Sequence, residues 1–569
     1  MADVVFVTPN LDGYATKAPV GTLLLATILN RAGIDAKVLP FYHFGDIKVF
    51  DRFIENATQK VLSHKPSIVS FYTRCDTYHI SIRLAQHIKM TAPGVYIVFG
   101  GPQADIVADD TLTAIPEVDF ICCGEGETTI VPFFSSLISG RPDLTTPGLA
   151  FRDGERIVHG PRPALVEDLD TLPAIDYSLL EYHAHDLPAE AYDLFPIDVG
   201  RGCPFSCTFC STNTFWGRKY RLKSADRIIS EIKEIHQRFG VTSINFVHDM
   251  FTLDRKKVFQ ICEKLKRIGF PLSWRCSARV DCLDRELVDA MVDAGMTSIF
   301  VGIESGSARM QKEIRKNLKL GDAVEKLSYI SSKGVAITAS FIFGFPNETE
   351  EDFSQTIGLM VKLRKIPRLK LQHHLFTFFS GTALTNQYMS QIQRSTAFSD
   401  ITGEVAVREC EGLISRNPKL FTHFLEFKSD FRDKIKYFPQ FFGCWKIRHP
   451  VYDYLAQHYY TDCYCDMLYD FSDCNWALLS VQKTYQDIMR QDRFLDKFSG
   501  DPHYAMLKEI SRFLLWKNDP QGSKRDVFGF DVKALMDGAQ IETIRPVLTV
   551  ATVVTDANGG RKILLNTRA

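Results

Sequence analysis

Three cysteines lie close together in the segment GRGCPFSCTFCSTNTFWGRKYR. Cys203, Cys207 and Cys210 have the spacing C-x3-C-x2-C. Three thiolates on one loop can ligate three irons of a cubane iron–sulfur cluster and leave the fourth iron open to a substrate, whereas an electron-transfer cluster is usually closed by four cysteines. The alternative is a zinc site. Zinc normally has a fourth Cys or His ligand, and none follows within this loop.

The remaining composition is that of a globular protein with little overall charge. The chain has 569 residues, which predicts two or three domains. Its 67 basic and 68 acidic residues nearly balance. The net charge therefore creates no electrostatic attraction to nucleic acid or to a membrane surface. We find no leader-like N-terminus and no apolar stretch near the roughly 20 residues that cross a bilayer. We therefore expect a cytoplasmic protein without a membrane span, in which the 14 cysteines form no disulfides.

Residues 1–140 alternate short apolar strands with amphipathic helices, as in DVVFVTP followed by VGTLLLATILNRAG. This rhythm predicts an α/β domain with a parallel, doubly wound (Rossmann-like) sheet. In such sheets ligands bind beyond the carboxyl ends of the strands. Those ends are predicted at Thr8–Asn10, Tyr72–Arg74, Gly100–Gln103 and Gly124–Glu127.

Three further regions follow. Residues 141–195 are rich in proline and predict a surface linker with a small hairpin around LAFRDGERIVH. Residues 196–385 contain six strand–helix units, which predict a partial (β/α)6 barrel with its chemistry at the carboxyl ends of the strands. Residues 386–569 predict a mainly helical, aromatic-rich domain that contacts substrate or packs as ordinary core. We assign no second cluster to Cys463, Cys465 and Cys474, because a fourth ligand is missing.

The cysteine motif, with Phe209 as its aromatic residue, resembles the C-x3-C-x-aromatic-C motif of the radical S-adenosylmethionine (SAM) superfamily. The resemblance extends through the predicted barrel. It implies a [4Fe-4S] cluster whose open iron chelates SAM. It also implies reduction by an external donor of flavodoxin or ferredoxin type, and cleavage of SAM to a 5′-deoxyadenosyl radical.

The same resemblance assigns SAM contacts to later strand ends. It places Asp249 near the amino group, Arg279 near the carboxylate and Glu304 near the ribose. Arginine suits the carboxylate because it binds such groups in a bidentate manner. Gly344 and Pro346, in FIFGFP, would let the backbone approach the adenine. The alternative for each polar residue is a salt bridge at the barrel rim.

The first domain resembles the cobalamin-binding domain of B12-dependent radical SAM enzymes. The segments VFGGPQA and CCGEGE carry the resemblance, and their glycines would let backbone lie against a flat macrocycle. The residues implied in cofactor binding are Gly100, Gly101, Gln103, Gly124, Glu125 and Gly126.

The first domain differs from part of this family at the residues that would contact the lower face of the cobalt. Domains that supply a histidine ligand carry D-x-H-x2-G, and the stretch TRCDTYHIS does not give Asp76 and His79 that spacing. We infer that no histidine ligates cobalt and that His79 starts a helix. Tyr72, Thr73 and Arg74 are the candidates for contacting this face.

The resemblance implies a C-methyltransferase that acts on an unactivated carbon of a peptide or small molecule, with the cofactors carrying the difficult step. The alternatives are a non-methylating radical reaction, such as oxidative cyclisation, and a cobalamin or redox sensor without turnover. His373, His374 and Thr377, in LQHHLFTFF, are candidates for meeting the substrate.

Substitution of Cys207 separates enzyme from sensor. We expect Cys207→Ala to reduce SAM cleavage to background, because one iron loses its ligand. Release of 5′-deoxyadenosine under reducing conditions measures this. Unaltered biological output in the variant would favour the sensor instead.

Overall fold

The computed structural model describes residues 2–10, 19–180, 195–395, 406–435, 438, 460, 464–472, 551–555 and 561–565. The chain forms two compact units, Met1–Ser429 and Asp430–Ala569. In the second unit the described elements are helices Asp430–Ile435 and Tyr464–Ser472 and an antiparallel pair, Ala551–Thr555 with Arg561–Leu565. Cys465 is buried in the second of these helices, whereas Cys463 and Cys474 lie outside the described residues.

A seven-stranded sheet forms the first half of the larger unit. Its five leading strands are parallel and its last two are antiparallel. In spatial order they are Ala36–Pro40, Val4–Thr8, Ile68–Tyr72, Tyr96–Gly100, Phe120–Cys122, Leu149–Asp153 and Arg156–His159. The helices that cover it are Val20–Arg31, Phe50–Ser63, Tyr78–Thr91, Pro102–Ile106, Ala108–Ala114 and Ile130–Ile138. The predicted doubly wound α/β domain is confirmed.

The two antiparallel strands are the hairpin predicted within the linker. Phe151 of the hairpin pairs with Phe120, so the sheet continues past residue 140. The Arg152 guanidinium fixes this edge by donating to the backbone oxygens of Leu112 at 2.7 Å and Pro116 at 2.8 Å. The hairpin therefore protects an edge strand that would otherwise expose its hydrogen-bonding groups.

The second half of this unit is an open barrel of six parallel strands in sequence order, as predicted. The strands are Phe195–Asp198, Ser243–Val247, Ser273–Ala278, Met296–Glu304, Ala336–Phe343 and Leu369–Leu375. The longer helices between them are Ala225–Phe239, Arg255–Leu265, Arg285–Asp293, Ala323–Ser332 and Glu350–Arg364. Short polar residues begin several of these helices. For example, Ser224 Oγ accepts from Arg227 N at 3.1 Å, and left-handed Gly240 ends the same helix.

The segment after the barrel returns to the first sheet. It contains helices Ala383–Tyr388 and Glu411–Arg416, the 3-10 helix Pro418–Phe424 and the strand pair Ile392–Arg394 with Leu425–Phe427. Leu413, Phe421 and Phe424 share one hydrophobic core with the helices that cover the first sheet. The aromatic residues of FTHFLEF therefore pack as core.

Strand alternation decides which barrel residues face the interior. In Ser273–Ala278 the buried residues are Trp274, Cys276 and Ala278, which pack towards the helices. Trp274 is fully buried, stacks on Phe246 with ring centroids 4.9 Å apart, and donates from Nε1 to Ala294 O at 2.8 Å. The intervening residues, Ser273, Arg275 and Ser277, consequently lie on the concave side of the barrel.

We expect Trp274→Ala to lower the free energy of unfolding by about 3–5 kcal/mol, because it leaves a cavity behind the third barrel strand. Trp274→Phe keeps most of the ring and loses the hydrogen bond to Ala294, so its cost is expected to be smaller. Urea unfolding followed by circular dichroism checks both. Equal destabilisation by the two variants would contradict the packing explanation.

Candidate active site

The carboxyl ends of both sheets open onto one cavity of about 800 Å³. Its lining comes from the first sheet at Tyr72, Gly100–Gly101 and Cys122–Glu127. From the barrel it receives all three motif cysteines and the polar residues at the ends of the second, third and fourth strands. The two regions that the sequence predicted as ligand-facing rims therefore line one shared cavity.

The cysteine loop begins immediately after the first barrel strand. Gly202 has a φ of +79°, and a Cβ atom there would lie 1.9 Å from Lys219 O, so only glycine fits before Cys203. Burial raises the pKa of all three motif thiols, that of Cys207 to about 11. Among the described residues no three His, Cys, Asp or Glu side chains are already gathered as a metal site. All three thiols nevertheless line the same cavity.

Asp249 and Arg279 both line the cavity at the barrel rim. The Asp249 carboxylate accepts hydrogen bonds from the Thr212 hydroxyl and the Gly202 N–H, while burial raises its pKa. The Arg279 guanidinium binds Asp281 at 3.0 and 2.8 Å and lies 3.9 Å above the Phe205 ring. Arg279 is therefore held in a fixed orientation beside the cysteine loop.

Glu304 ends the fourth barrel strand in a left-handed conformation, with a φ of +66°. This conformation is unfavourable for a residue with a side chain and is typical of functional sites. Its carboxylate pairs with Lys316 Nζ at 2.5 Å, and both side chains are buried and line the cavity. Sequence reasoning missed Lys316, because it lies in the loop after a short helix and outside any motif.

Most of the predicted site residues line this cavity, and five do not. Those that do are Cys203, Cys207, Phe209, Cys210, Asp249, Arg279, Glu304, Tyr72, Gly100, Gly101, Gly124, Glu125 and Gly126. Those that do not are Thr73, Arg74, Gln103, Gly344 and Pro346.

The structure gives several of the excluded residues other partners. The Thr73 hydroxyl bonds Gly100 O and Ala104 N, both at 2.9 Å, and so fixes the loop after the fourth strand. Arg74 forms an ion pair with Asp76. Gln103 donates to Leu420 O at 2.9 Å, which ties the glycine loop to the segment after the barrel. These are supporting contacts behind the cavity wall.

His79 and the three substrate candidates also lie away from the cavity wall. His79 is the second residue of helix Tyr78–Thr91, as expected of a helix-start residue, and its ring packs edge-on against Phe424 at 5.6 Å. His373, His374 and Thr377, on and after the last barrel strand, do not line this cavity.

A buried ion-pair network joins the two halves of the cavity. The Arg201 guanidinium bonds Glu125 Oε1 at 2.8 Å and Glu127 Oε1 at 2.7 Å, and Arg221 bonds Glu125 at 2.8 Å. The Trp216 ring lies against both guanidinium groups. Burial opposes the charged form of Glu125, but Arg221 and Arg201 hold the pKa of its carboxyl below the ordinary value. The glutamates of CCGEGE therefore dock the first sheet onto the barrel.

The residues fit both expected cofactors. Three thiols on one loop would supply the donor set of a cluster with one open iron. Opposite them, the backbone at Gly100, Gly101, Gly124 and Gly126 presents no side chains to the cavity. A Cβ atom on Gly101 would approach Tyr72 Cδ2 to 2.8 Å, so the ring of Tyr72 lies directly beside this bare backbone.

Comparison with known protein families supports the assignments of both the barrel and the first domain. Residues 197–360 match the radical SAM superfamily, and residues 14–133 match the B12 binding domain. The chain belongs to the cobalamin-dependent radical SAM enzymes. None of the helices that the structure describes is both long and apolar enough to span a bilayer.

Relatives of this radical SAM enzyme include methyltransferases and a cyclase. It is 29% identical over 326 residues to an uncharacterized methyltransferase of Pyrococcus horikoshii, covering 56% of this chain and 70% of that one. It is 26% identical to the anaerobic magnesium-protoporphyrin IX monomethyl ester cyclase of Cereibacter sphaeroides, covering 62% and 58% respectively. It is 28% identical to the hopanoid C-3 methylase of Methylococcus capsulatus, covering 57% and 60%.

Two solved structures share the fold. The radical SAM methyltransferase TsrM of Kitasatospora setae, with cobalamin and a [4Fe-4S] cluster bound, has a TM-score of 0.58 at 16% identity, over 70% of this chain and 81% of that one. The cobalamin-dependent radical enzyme OxsB has a TM-score of 0.61 at 13% identity, over 94% and 83%. At these identities the likeness concerns the arrangement of domains.

In this radical SAM enzyme we expect Glu125→Gln to lower the free energy of unfolding by about 3–5 kcal/mol, because it leaves two buried guanidinium groups undercompensated. Glu167→Gln, which removes an exposed ion pair with Lys219, is the matched control and is expected to change little. Urea unfolding checks both.

The pH dependence tests the same carboxylate. The pKa of the Glu125 carboxyl is lower in the folded protein than its ordinary value of 4.5. The ionised carboxylate therefore stabilises the folded state fully above pH 4.5, and this stabilisation is lost as the pH falls below that value. In Glu125→Gln the free energy of unfolding should therefore fall less steeply as the pH is lowered. An unchanged pH dependence would contradict the stabilising role assigned to the Glu125 carboxylate.

Proposed function

We propose that this enzyme transfers a methyl group from SAM to an unactivated carbon of a small molecule or peptide. One observation carries the proposal: the cysteine triad and the glycine-lined backbone of the first sheet share a single cavity. An enzyme that needs both cofactors for one reaction must bring them to one substrate. A sensor has no need of that arrangement.

The barrel side of the cavity would hold the cluster and SAM. Cys203, Cys207 and Cys210 would ligate the [4Fe-4S] cluster. Arg279 would face the SAM carboxylate, and Asp249 the amino group. When bound, the reduced cluster and SAM supply hydrogen abstraction from carbon, and cobalamin supplies the methyl group. The reducing electron would come from an external flavodoxin- or ferredoxin-type donor.

Aromatic side chains give this space its low polarity. Phe205, Phe209, Phe215, Trp216 and Phe300 all line it, beside the cysteine loop and the inner barrel wall. Such a lining excludes water from the substrate, which protects a reactive species from side reactions. The Glu304–Lys316 pair, neutral as a whole, would orient hydroxyl groups of the SAM ribose through its remaining donors and acceptors.

On the opposite side the lower face of cobalamin would meet Tyr72 and carry no histidine ligand. Tyr72 lines the cavity at the end of the third strand, and burial raises its pKa, so its phenol stays neutral. His79 packs into the aromatic core of Phe421 and Phe424. Electron paramagnetic resonance of the bound Co(II) form should show no nitrogen splitting from a protein histidine, in the wild type and in His79→Ala alike.

A non-methylating radical reaction is the second candidate. The likeness to a cyclase of Cereibacter sphaeroides, at 26% identity over 365 residues, favours it. The two candidates differ in how SAM is consumed. Methyl transfer through both cofactors uses SAM as methyl donor and as radical source, whereas cyclisation uses it only as radical source.

Anaerobic purification with cobalamin present, followed by iron, sulfide and cobalt analysis, is the first test. We expect one four-iron cluster and one cobalamin per chain. Methyl-deuterated SAM then distinguishes the reactions: methyl transfer gives S-adenosylhomocysteine and 5′-deoxyadenosine in equal amounts with deuterium in the product. Release of 5′-deoxyadenosine alone would favour cyclisation.

The control for this test is Cys207→Ala, which should retain cobalamin and lose cluster iron. Absence of a cluster in the wild type after reconstitution would refute the proposed function.

A further inference from the structure

Lys316 connects the cysteine loop to the end of a neighbouring barrel strand. It lies in the loop after helix Ala308–Glu313, where the Thr208 N–H of the cysteine loop donates to Ile314 O at 3.0 Å. The backbone oxygen of Lys316 accepts from Arg279 Nη2 at 2.9 Å. Lys316 is only 7% exposed and lines the same cavity as the motif cysteines. A buried positive charge is therefore held beside the loop that would carry the cluster.

The Lys316 ammonium pairs with the Glu304 carboxylate at 2.5 Å against bare backbone of the fourth barrel strand. A Cβ atom on Gly302 would lie 2.8 Å from Lys316 Nζ and 2.3 Å from Glu304 Oε1. Any side chain at this position would therefore displace the pair. A glycine inside a strand is typical of a place where other groups approach the backbone closely, and here those groups are the two charges.

The side chain of Gln311 fixes the geometry of this pair from behind. Its amide nitrogen donates to Ser305 O, one residue after Glu304, at 2.6 Å. Its amide oxygen accepts from Leu318 N, two residues after Lys316, at 3.1 Å. The same buried side chain thus holds the strand end and the loop that carry the two charges, so their positions are set before any cofactor binds.

Lys316 is the main positive charge acting on Cys207. Burial raises the pKa of the Cys207 thiol to about 11, and among charged groups Lys316 opposes this rise most strongly. Burial also raises the pKa of Cys210, and Lys316 opposes that rise less strongly than the Thr212 hydrogen bonds do. A field that favours a negative thiolate also favours addition of an electron to a cluster at the same place, because both changes add negative charge.

We propose that the Lys316–Glu304 pair sets the reduction potential of the cluster, with the ammonium stabilising the reduced form and the carboxylate limiting that effect. The inference rests on the proposed function, in which the three motif cysteines hold a [4Fe-4S] cluster, and adds a role for residues outside that motif. In the step concerned the cluster gains one electron and the flavodoxin- or ferredoxin-type donor loses one. No proton or other group is transferred.

A redox titration of the cofactor-loaded full chain, without SAM, tests the inference. Titanium(III) citrate with redox mediators sets the potential, and electron paramagnetic resonance of the reduced cluster gives the midpoint. We expect Lys316→Met to lower the ratio of reduced to oxidised cluster about tenfold at a fixed potential, which is a midpoint about 59 mV lower for one electron. This is the order of effect expected of one charge at an effective dielectric constant of about 20.

The sign of the shift distinguishes electrostatics from packing. Glu304→Gln should raise the midpoint, because it leaves the ammonium uncompensated. Lys316→Arg keeps the charge and should stay close to the wild-type value. Lys312→Met is the matched control, because this lysine is exposed on the helix before the loop, and its midpoint should not change. Iron and sulfide contents must be equal in all chains compared.

If Lys316→Met does not fold, Glu304→Gln and Lys316→Arg still test the inference through a raised and an unchanged midpoint. Shifts of the same sign in Lys316→Met and Glu304→Gln, or no shift in either, would overturn it and leave methyl transfer standing. Opposite shifts in an enzyme that transfers no methyl group would refute the proposed function and support this inference. Absence of a cluster from the wild type would overturn both.

Discussion

The site depends on a buried ion-pair network between the two halves of the larger unit. Glu125 and Glu127 follow the fifth strand of the first sheet, whereas Arg201 and Arg221 flank the cysteine loop of the barrel. Glu125 is only 3% exposed, so each charge is stable there only because its partner is present. Such a network has few alternative arrangements. It therefore sets the distance across the cavity more sharply than apolar packing alone would, and both cofactors would have to fit that distance.

The sequence was most informative where local physics decides the outcome. The alternation of strands and helices, the serine at the start of Ala225–Phe239 and the glycine at its end predicted elements that the structure contains. The spacing of Cys203, Cys207 and Cys210 predicted a chemically special loop, because the loop itself holds all the required residues. Strand ends were also predictable, since parallel strands bring their carboxyl ends to one edge.

Long-range pairings were the part that could not be predicted. Glu125 was identified as a cofactor residue from its motif, yet its carboxylate pairs with two arginines that lie 76 and 96 residues away in sequence. Thr73 and Gln103 lie at strand ends, as expected, but their side chains point to backbone groups behind the wall. The hairpin at Leu149–His159 was assigned to a linker because prolines surround it, and only its pairing with Phe120–Cys122 reveals it as part of the sheet. Side-chain direction at a strand end depends on partners that no local pattern specifies.

Arg201 is separated from Cys203 by a single glycine, and this proximity has a consequence for how the two domains can evolve. A barrel separated from its N-terminal partner would retain Arg201 and Arg221 in an apolar setting with the Trp216 ring and without their glutamates. The fragment would be destabilised at the loop that has to receive iron. Gene fusions that exchange one domain for that of a distant homologue would meet the same obstacle unless the acidic and basic partners were inherited together. On this physical ground the two domains are expected to be inherited together, despite the linker between them.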